Sequence, residues 1–257
     1  MIALITGATA GFGNATAEIF AKHNYNVIIT GRREDRLQQI SAELKKKYKI
    51  NVLSLCFDIR KFSEAEAAIN SLTSEWRSID VLVNNAGLAA GLSNIQEGAI
   101  DDWEKMIDTN IKGLLYVTRL VSPIMIQNQK GHIINIGSIA GKEVYANGNV
   151  YCATKHAVDA LSKAMSIDMH QHGIRVTNIA PGLVETEFSL VRFKGDAERA
   201  KKTYRNLEPL TAPDIAEIIF WTASRPARLD LMSVCRPGLN ALWEALPCAP
   251  SAPYLIR

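Results

Sequence analysis

Short apolar runs recur along the chain, each closed by a polar or glycine-bearing turn and followed by a longer stretch with apolar positions at helical spacing. The first, Ile2 to Thr6, has the unbroken hydrophobicity of a strand covered on both faces. It runs straight into Thr6-Gly7-Ala8-Thr9-Ala10-Gly11-Phe12-Gly13 and then a predicted helix from Asn14 to Lys22, with Ala15, Ile19 and Phe20 on its apolar side. Further strands are predicted at Val27 to Thr30, Asn51 to Phe57, Ile79 to Val83, His132 to Ile136 and Arg175 to Ile179. Helices are predicted from Arg33 to about Tyr48, around Ser63 to Glu75, from Ile100 to about Val121, from Tyr151 to about Gln171, and from Ala212 to Ala223. Strand and helix alternate with no linker and no repeat, which predicts a single α/β domain on one parallel sheet covered on both faces. Beyond Pro181-Gly182 a polar insertion reaches to about Leu210. Leu229 to Val234 has the apolar content of one more strand, but Arg236-Pro237-Gly238 interrupts it. Pro247, Cys248, Pro250 and Pro253 follow with neither periodicity, so residues 1–230 are read as the catalytic domain and 231–257 as a divergent tail.

Composition narrows the function classes. The chain has 257 residues, 47% hydrophobic and 21% charged, which is ordinary globular composition. A net charge of +3 does not mark a nucleic-acid binder, and Lys45-Lys46-Lys47 closes a predicted helix where cations suit the dipole. No window approaches the ~18 consecutive apolar residues of a membrane span, and the start of the chain lacks a basic leader with a cleavable apolar segment. A cytoplasmic protein is expected. Cys56, Cys152, Cys235 and Cys248 form no CxxC pair, which favours reduced thiols over disulfides or zinc. His170 and His172 point to different faces of a helix, so no metal site is expected there.

The chemistry gathers at the strand ends. Tyr151 and Lys155 are four apart on a predicted helix and share one face. An adjacent cation favours the phenolate, so Lys155 is expected to lower the pKa of Tyr151 and make it a general acid/base, with the Ser138 hydroxyl holding the substrate oxygen. The glycine turn, between a strand and a helix N-terminus, suits a pyrophosphate. At the end of the second strand stands Gly31 followed by Arg32 and Arg33, where an acidic residue would hold a ribose 2′-hydroxyl. Arginines there accommodate a 2′-phosphate, favouring NADP over NAD. Asp58-Ile59, Asn84-Asn85-Ala86-Gly87 and Ser138 end other strands and fall on the same rim, where doubly wound sheets bind ligands.

Taken in order, Thr6-Gly7-x-x-x-Gly11-x-Gly13, Asn84-Asn85-Ala86-Gly87, Asn110, Ser138, Tyr151-x-x-x-Lys155 and Pro181-Gly182 resemble the short-chain dehydrogenase/reductase family over roughly residues 1–230. The resemblance implies a Rossmann-type doubly wound sheet of about seven strands, nicotinamide-dependent carbonyl/alcohol interconversion, and a homotetramer. It implies catalytic roles for Ser138, Tyr151, Lys155 and Asn110, with Lys155 also on the nicotinamide ribose and Asn110 supporting a water for proton exit. Coenzyme binding would fall to Gly7, Thr9, Gly11, Phe12, Gly13, Arg32, Arg33, Asp58, Ile59, Asn85, Ala86, Gly87, Tyr151, Lys155, Pro181, Gly182, Val184 and Thr186.

Longer stretches, Thr30-Gly31-Arg32-Arg33 with Arg36-Leu37, Gly131 to Ser138 and Gly182 to Ser189 among them, are similar to the NADP-dependent 3-hydroxy acid dehydrogenases, which include serine and L-allo-threonine dehydrogenases and malonic semialdehyde reductases. That implies a small hydroxy acid as substrate, whose carboxylate needs a cation, and Arg192 in the insertion is the candidate. The competing readings are a reductase of a neutral ketone or alcohol, and an NADP-binding regulatory protein with weak catalysis.

Overall fold

The structure, a computed structural model, describes residues 1–204, 209–226, 228–229 and 231–236. Its centre is a parallel sheet of seven strands: β1 Ile2–Ile5, β2 Asn26–Gly31, β3 Val52–Cys56, β4 Ile79–Asn84, β5 Gly131–Ile136, β6 Ile174–Pro181 and, last in the sheet, Ser233–Arg236. In spatial order they run β3-β2-β1-β4-β5-β6 and then Ser233–Arg236, so the direction of winding reverses between β1 and β4. This is the expected Rossmann-type α/β architecture. The last strand pairs with β6 from Asn178↔Ser233 to Pro181↔Arg236. It begins later than the apolar content of Leu229 to Val234 suggests, and the proline-containing tail that follows lies outside the described residues.

Alternate side chains of each strand go to opposite faces. On one face Ala3, Ile5, Val27, Ile29, Val81, Val83 and Ile134 meet α1 (Gly11–Lys22), α2 (Glu34–Tyr48) and a helix at Ala212–Ala223. On the other Leu4, Ile28, Leu82, Ile133 and Val176 meet α3 (Phe62–Asn70), the helix Leu114–Gln127 and the long helix Asn149–His170. With both faces covered, strands such as Ile2–Ile5 read as unbroken apolar runs although alternate residues serve different cores.

Two elements differ from the sequence reading. The helix expected from Ile100 to Val121 is two helices, α4 (Ile100–Ile107) and α5 (Leu114–Gln127), joined by the π-helical turn Asp108–Gly113. Asn110 lies in that turn, and such turns gather at functional sites. The helix expected to Glu75 stops at Asn70, and Ser74–Trp76 is a separate 3₁₀ turn. After α6 (Asn149–His170) and β6, the polar insertion carries β7 (Val184–Glu185), α7 (Glu187–Arg192), α8 (Ala197–Lys202) and β8 (Leu210–Thr211), with β7 and β8 paired in parallel. The chain then enters α9 (Ala212–Ala223), capped reciprocally by Thr211 and Asp214, and ends its described part in β9 (Ser233–Arg236).

Candidate active site

The carboxyl ends of β1 to β6 open onto one cleft of about 450 Å³, and α7 forms part of its far wall. Of the residues expected at the site, all line this cleft except Gly13 and Asn110.

Gly7 and Gly11 have positive φ, 66° and 51°, which a glycine adopts freely. A Cβ on Gly7 would come within 2.9 Å of the Ala86 Cα, and one on Gly13 within 2.4 Å of the Gly7 carbonyl oxygen. Gly13 therefore acts behind the site, letting α1 press against the turn. The Ala10 N-cap offers no side-chain acceptor, and no acidic residue lies in the first turn of α1. The first-turn N–H groups of α1 thus face the cleft without a capping side chain, an arrangement that suits a pyrophosphate. Thr6 and Asn85 brace the turn: the Thr6 hydroxyl accepts from the backbone N–H groups of Asn85 and Ala86, and the Asn85 amide donates to the carbonyls of Thr6 and Gly7. Asn85 lines the cleft as expected of a coenzyme contact, while its side-chain amide braces the turn.

At the β2 end Arg33 donates to the Thr9 hydroxyl and carbonyl and faces Glu187 on its remaining nitrogen. Arg32 lines the cleft beside it. The Asp58 carboxylate is bound by Arg60, whose side-chain hydrogen bonds hold its pKa below the usual carboxylate range.

At the reaction end Tyr151 and Lys155 are both buried. The Lys155 ammonium donates to the Ile136 carbonyl at 2.8 Å and lies 5.9 Å from the centre of the Tyr151 ring. The Arg192 guanidinium lies over the same ring at 5.7 Å and over Tyr145 at 5.5 Å. The ring edge meets Phe188 with centroids 5.7 Å apart. The expected lowering of the phenol pKa is not what these groups produce. Burial pushes Tyr151 up, Tyr145 adds to the rise, and the Ser138 hydroxyl and the Arg192 charge oppose it. Desolvation outweighs the Arg192 charge and the Ser138 hydrogen bond, and it lowers Lys155 itself to about 8. At neutral pH the chain's own groups therefore favour a neutral phenol beside a protonated lysine.

Ser138 caps the 3₁₀ turn Ile139–Gly141, accepting from the Ala140 N–H at 3.1 Å, which fixes its hydroxyl at the end of β5. Asn110 exchanges hydrogen bonds with both backbone groups of Leu88, at 2.9 and 2.8 Å, and donates to the Thr154 hydroxyl at 3.0 Å. It stands behind Gly87, where a Cβ would fall 3.3 Å from its Oδ1 and 3.6 Å from the Lys155 Nζ.

The insertion supplies contacts that no local motif signals. Arg192 donates from Nε to the Gly91 carbonyl, and the Gly91 N–H donates back to the Arg192 carbonyl. The Tyr204 hydroxyl donates to the Val184 carbonyl and shares a hydrogen bond with Ser189. Glu187 bridges Arg33 and Arg36. Each joins residues far apart in the chain, so spacing gives no hint of them. Thr186 caps α7 through the Phe188 N–H and packs near Gly11.

The short chain dehydrogenase family profile matches residues 1–196. The NADP-dependent 3-hydroxy acid dehydrogenase YdfG of Salmonella typhi is 52% identical over 235 residues, 91% of this chain and 93% of the relative. Serine 3-dehydrogenase of Agrobacterium fabrum is 44% identical over 231 residues, 90% of this chain and 91% of the relative. Among solved structures, the closed form of serine dehydrogenase complexed with NADP+ superposes with a TM-score of 0.91 at 45% identity, covering 98% of this chain and 100% of that one. By this match over most of its length, and by the order of its site residues along the sheet rim, the chain belongs to the short-chain dehydrogenase family.

Proposed function

We propose that the chain is an NADP-dependent dehydrogenase interconverting a small 3-hydroxy acid, of the serine, L-allo-threonine or 3-hydroxypropionate type, with its 3-oxo form. The observation that carries the reading is a cation placed over the catalytic phenol: Arg192, tied to Gly91, faces the Tyr151 ring in the same cleft as Arg32 and Arg33. The glycine turn leaves room for a pyrophosphate, and the arginines suit a 2′-phosphate, so the residues fit NADP. When bound, NADP supplies the hydride donor or acceptor. The chain binds, orients and moves the proton. Ser138 holds the substrate oxygen; Tyr151, neutral at pH 7, donates its proton to that oxygen in reduction, and in oxidation it must first lose that proton so that the phenolate accepts the one from the substrate hydroxyl. Lys155 restores the proton through the Asn110 side of the site and holds the nicotinamide ribose. Pro181, Gly182, Val184 and Thr186, which line the cleft, would hold the nicotinamide part, and Asp58 and Ile59 the adenine part.

The substrate class is tested by comparing kcat/KM for L-allo-threonine, serine and 3-hydroxypropionate with that for neutral alcohols. Arg192→Gln should raise KM for the hydroxy acids by about thirtyfold, as expected for losing about 2 kcal/mol from a charge-paired hydrogen bond, and should affect neutral alcohols much less, only through the effect of its charge on the Tyr151 phenol. Indifference of the wild type to the carboxylate would favour a neutral alcohol or ketone as substrate and remove this role from Arg192.

We also propose a homotetramer acting in the cytoplasm. Ile107, Leu115 and Ile167 are exposed on the α4, α5 and α6 side of the sheet, and Trp221 on α9 is exposed on the opposite side. Exposed apolar side chains on two opposite sides would allow two kinds of isologous contact, the arrangement that closes as a tetramer. Sedimentation should give a mass near four times the 28.3 kDa chain; a monomer at micromolar concentration would overturn this. Among the described residues no helix is long and apolar enough to cross a membrane.

A further inference from the structure

Helix α7 joins the two ends of the cleft. Its last residue, Arg192, lies over Tyr151, and its first, Glu187, reaches the β2 end. There the Glu187 carboxylate oxygens lie 3.7 Å from Arg33 Nη1 and 3.3 Å from Arg36 Nη1. The Nε and Nη2 of Arg33 are used by Thr9, so Nη1 is the donor through which Arg33 meets an anion across the cleft. Arg32, Arg33 and Glu187 all line the same cavity.

We propose that Glu187 is a built-in competitor of the coenzyme 2′-phosphate, and that Arg36 belongs with Arg32 and Arg33 to the site that binds it. This rests on the NADP reading above. A carboxylate and a phosphate are drawn to the same guanidinium faces by the same charge-assisted hydrogen bonds. They also repel each other, and the phosphate carries close to two negative charges. NADP therefore has to displace Glu187 from the arginines, whereas NAD, with a neutral 2′-hydroxyl, meets no such competition. The carboxylate keeps the arginine side chains gathered, lowers the affinity for NADP below what the three cations would give, and ties coenzyme arrival to the helix that carries Arg192.

The test is calorimetric, with 2′,5′-ADP and 5′-ADP as probes, so no turnover is involved. In Glu187→Gln the affinity for 2′,5′-ADP should rise by roughly two- to fivefold, the range expected for exposed ion pairs, while that for 5′-ADP stays unchanged. The gain should vanish near 1 M salt, where the screening length falls to about 3 Å. Arg36→Ala should weaken 2′,5′-ADP alone. An unchanged or weaker 2′,5′-ADP affinity in Glu187→Gln would overturn the proposal, as would an equal gain for both probes, because Glu187 would then act on the glycine turn. Wild-type protein that does not prefer 2′,5′-ADP would instead refute the NADP reading. The Glu187 side chain is half exposed, and a melting temperature equal to wild type verifies that each variant is folded.

Discussion

Tyr151→Phe is expected to abolish useful turnover, lowering kcat by about 10² to 10⁴, the range for losing a positioned general acid/base, while NADPH binding stays within a few-fold of wild type. The phenyl ring keeps its edge contact with Phe188 and its place under Arg192, so only the hydroxyl is lost. Lys155 remains held by the Ile136 carbonyl, which does not involve Tyr151. The glycine turn and Arg33 are braced by Thr6, Asn85 and Thr9, at the other end of the cleft. Fluorescence titration with NADPH beside initial-rate assays separates the two effects. A fully active Tyr151→Phe would refute the mechanism, and loss of NADPH binding would make the hydroxyl a coenzyme contact rather than a proton carrier. Because burial favours the neutral phenol, oxidation should speed up as pH rises above neutrality, whereas reduction should not require alkaline pH. The buried Lys155, at about 8, is the member of the pair that titrates nearest neutrality.

The sheet was legible because each strand is short, apolar and followed by a turn with a chemical signature, so six strands and their common rim follow from Ile2–Ile5 onward. The order of the motifs along the chain places Ser138, Tyr151 and Lys155 together, and the cleft contains all three. The π turn at Asp108–Gly113 was not legible, since its apolar spacing continues that of the flanking helices and only Asn110 hints at a break. The direction of the Tyr151 shift is not legible either. Sequence spacing shows the nearby cation but not the depth of burial, and burial wins. Contacts of the insertion, such as Glu187 with Arg36 and Tyr204 with Ser189, depend on how α7 folds back over the rim, which no local pattern encodes.

Replacing Arg32 and Arg33 together by alanine should weaken NADPH by about a hundredfold or more, since each charge-assisted hydrogen bond contributes about 1.5 to 3 kcal/mol, and should weaken NADH far less. The two arginines are not equivalent. Arg33 also donates to the Thr9 hydroxyl and carbonyl, so its loss loosens the turn that receives the pyrophosphate, and a modest loss for NADH is expected from this residue alone. Arg32 lines the cleft and lowers the Asp58 pKa through its charge, so Arg32→Ala should leave NADH nearly unchanged. The informative quantity is therefore the ratio of NADPH to NADH dissociation constants in each single variant and in the pair. A ratio that falls in Arg32→Ala and falls further in the pair assigns the phosphate to both cations. Equal losses for the two coenzymes would mean that the end of β2 supports the glycine turn and that the 2′-phosphate is read elsewhere, and the competition assigned to Glu187 would lose its basis with it.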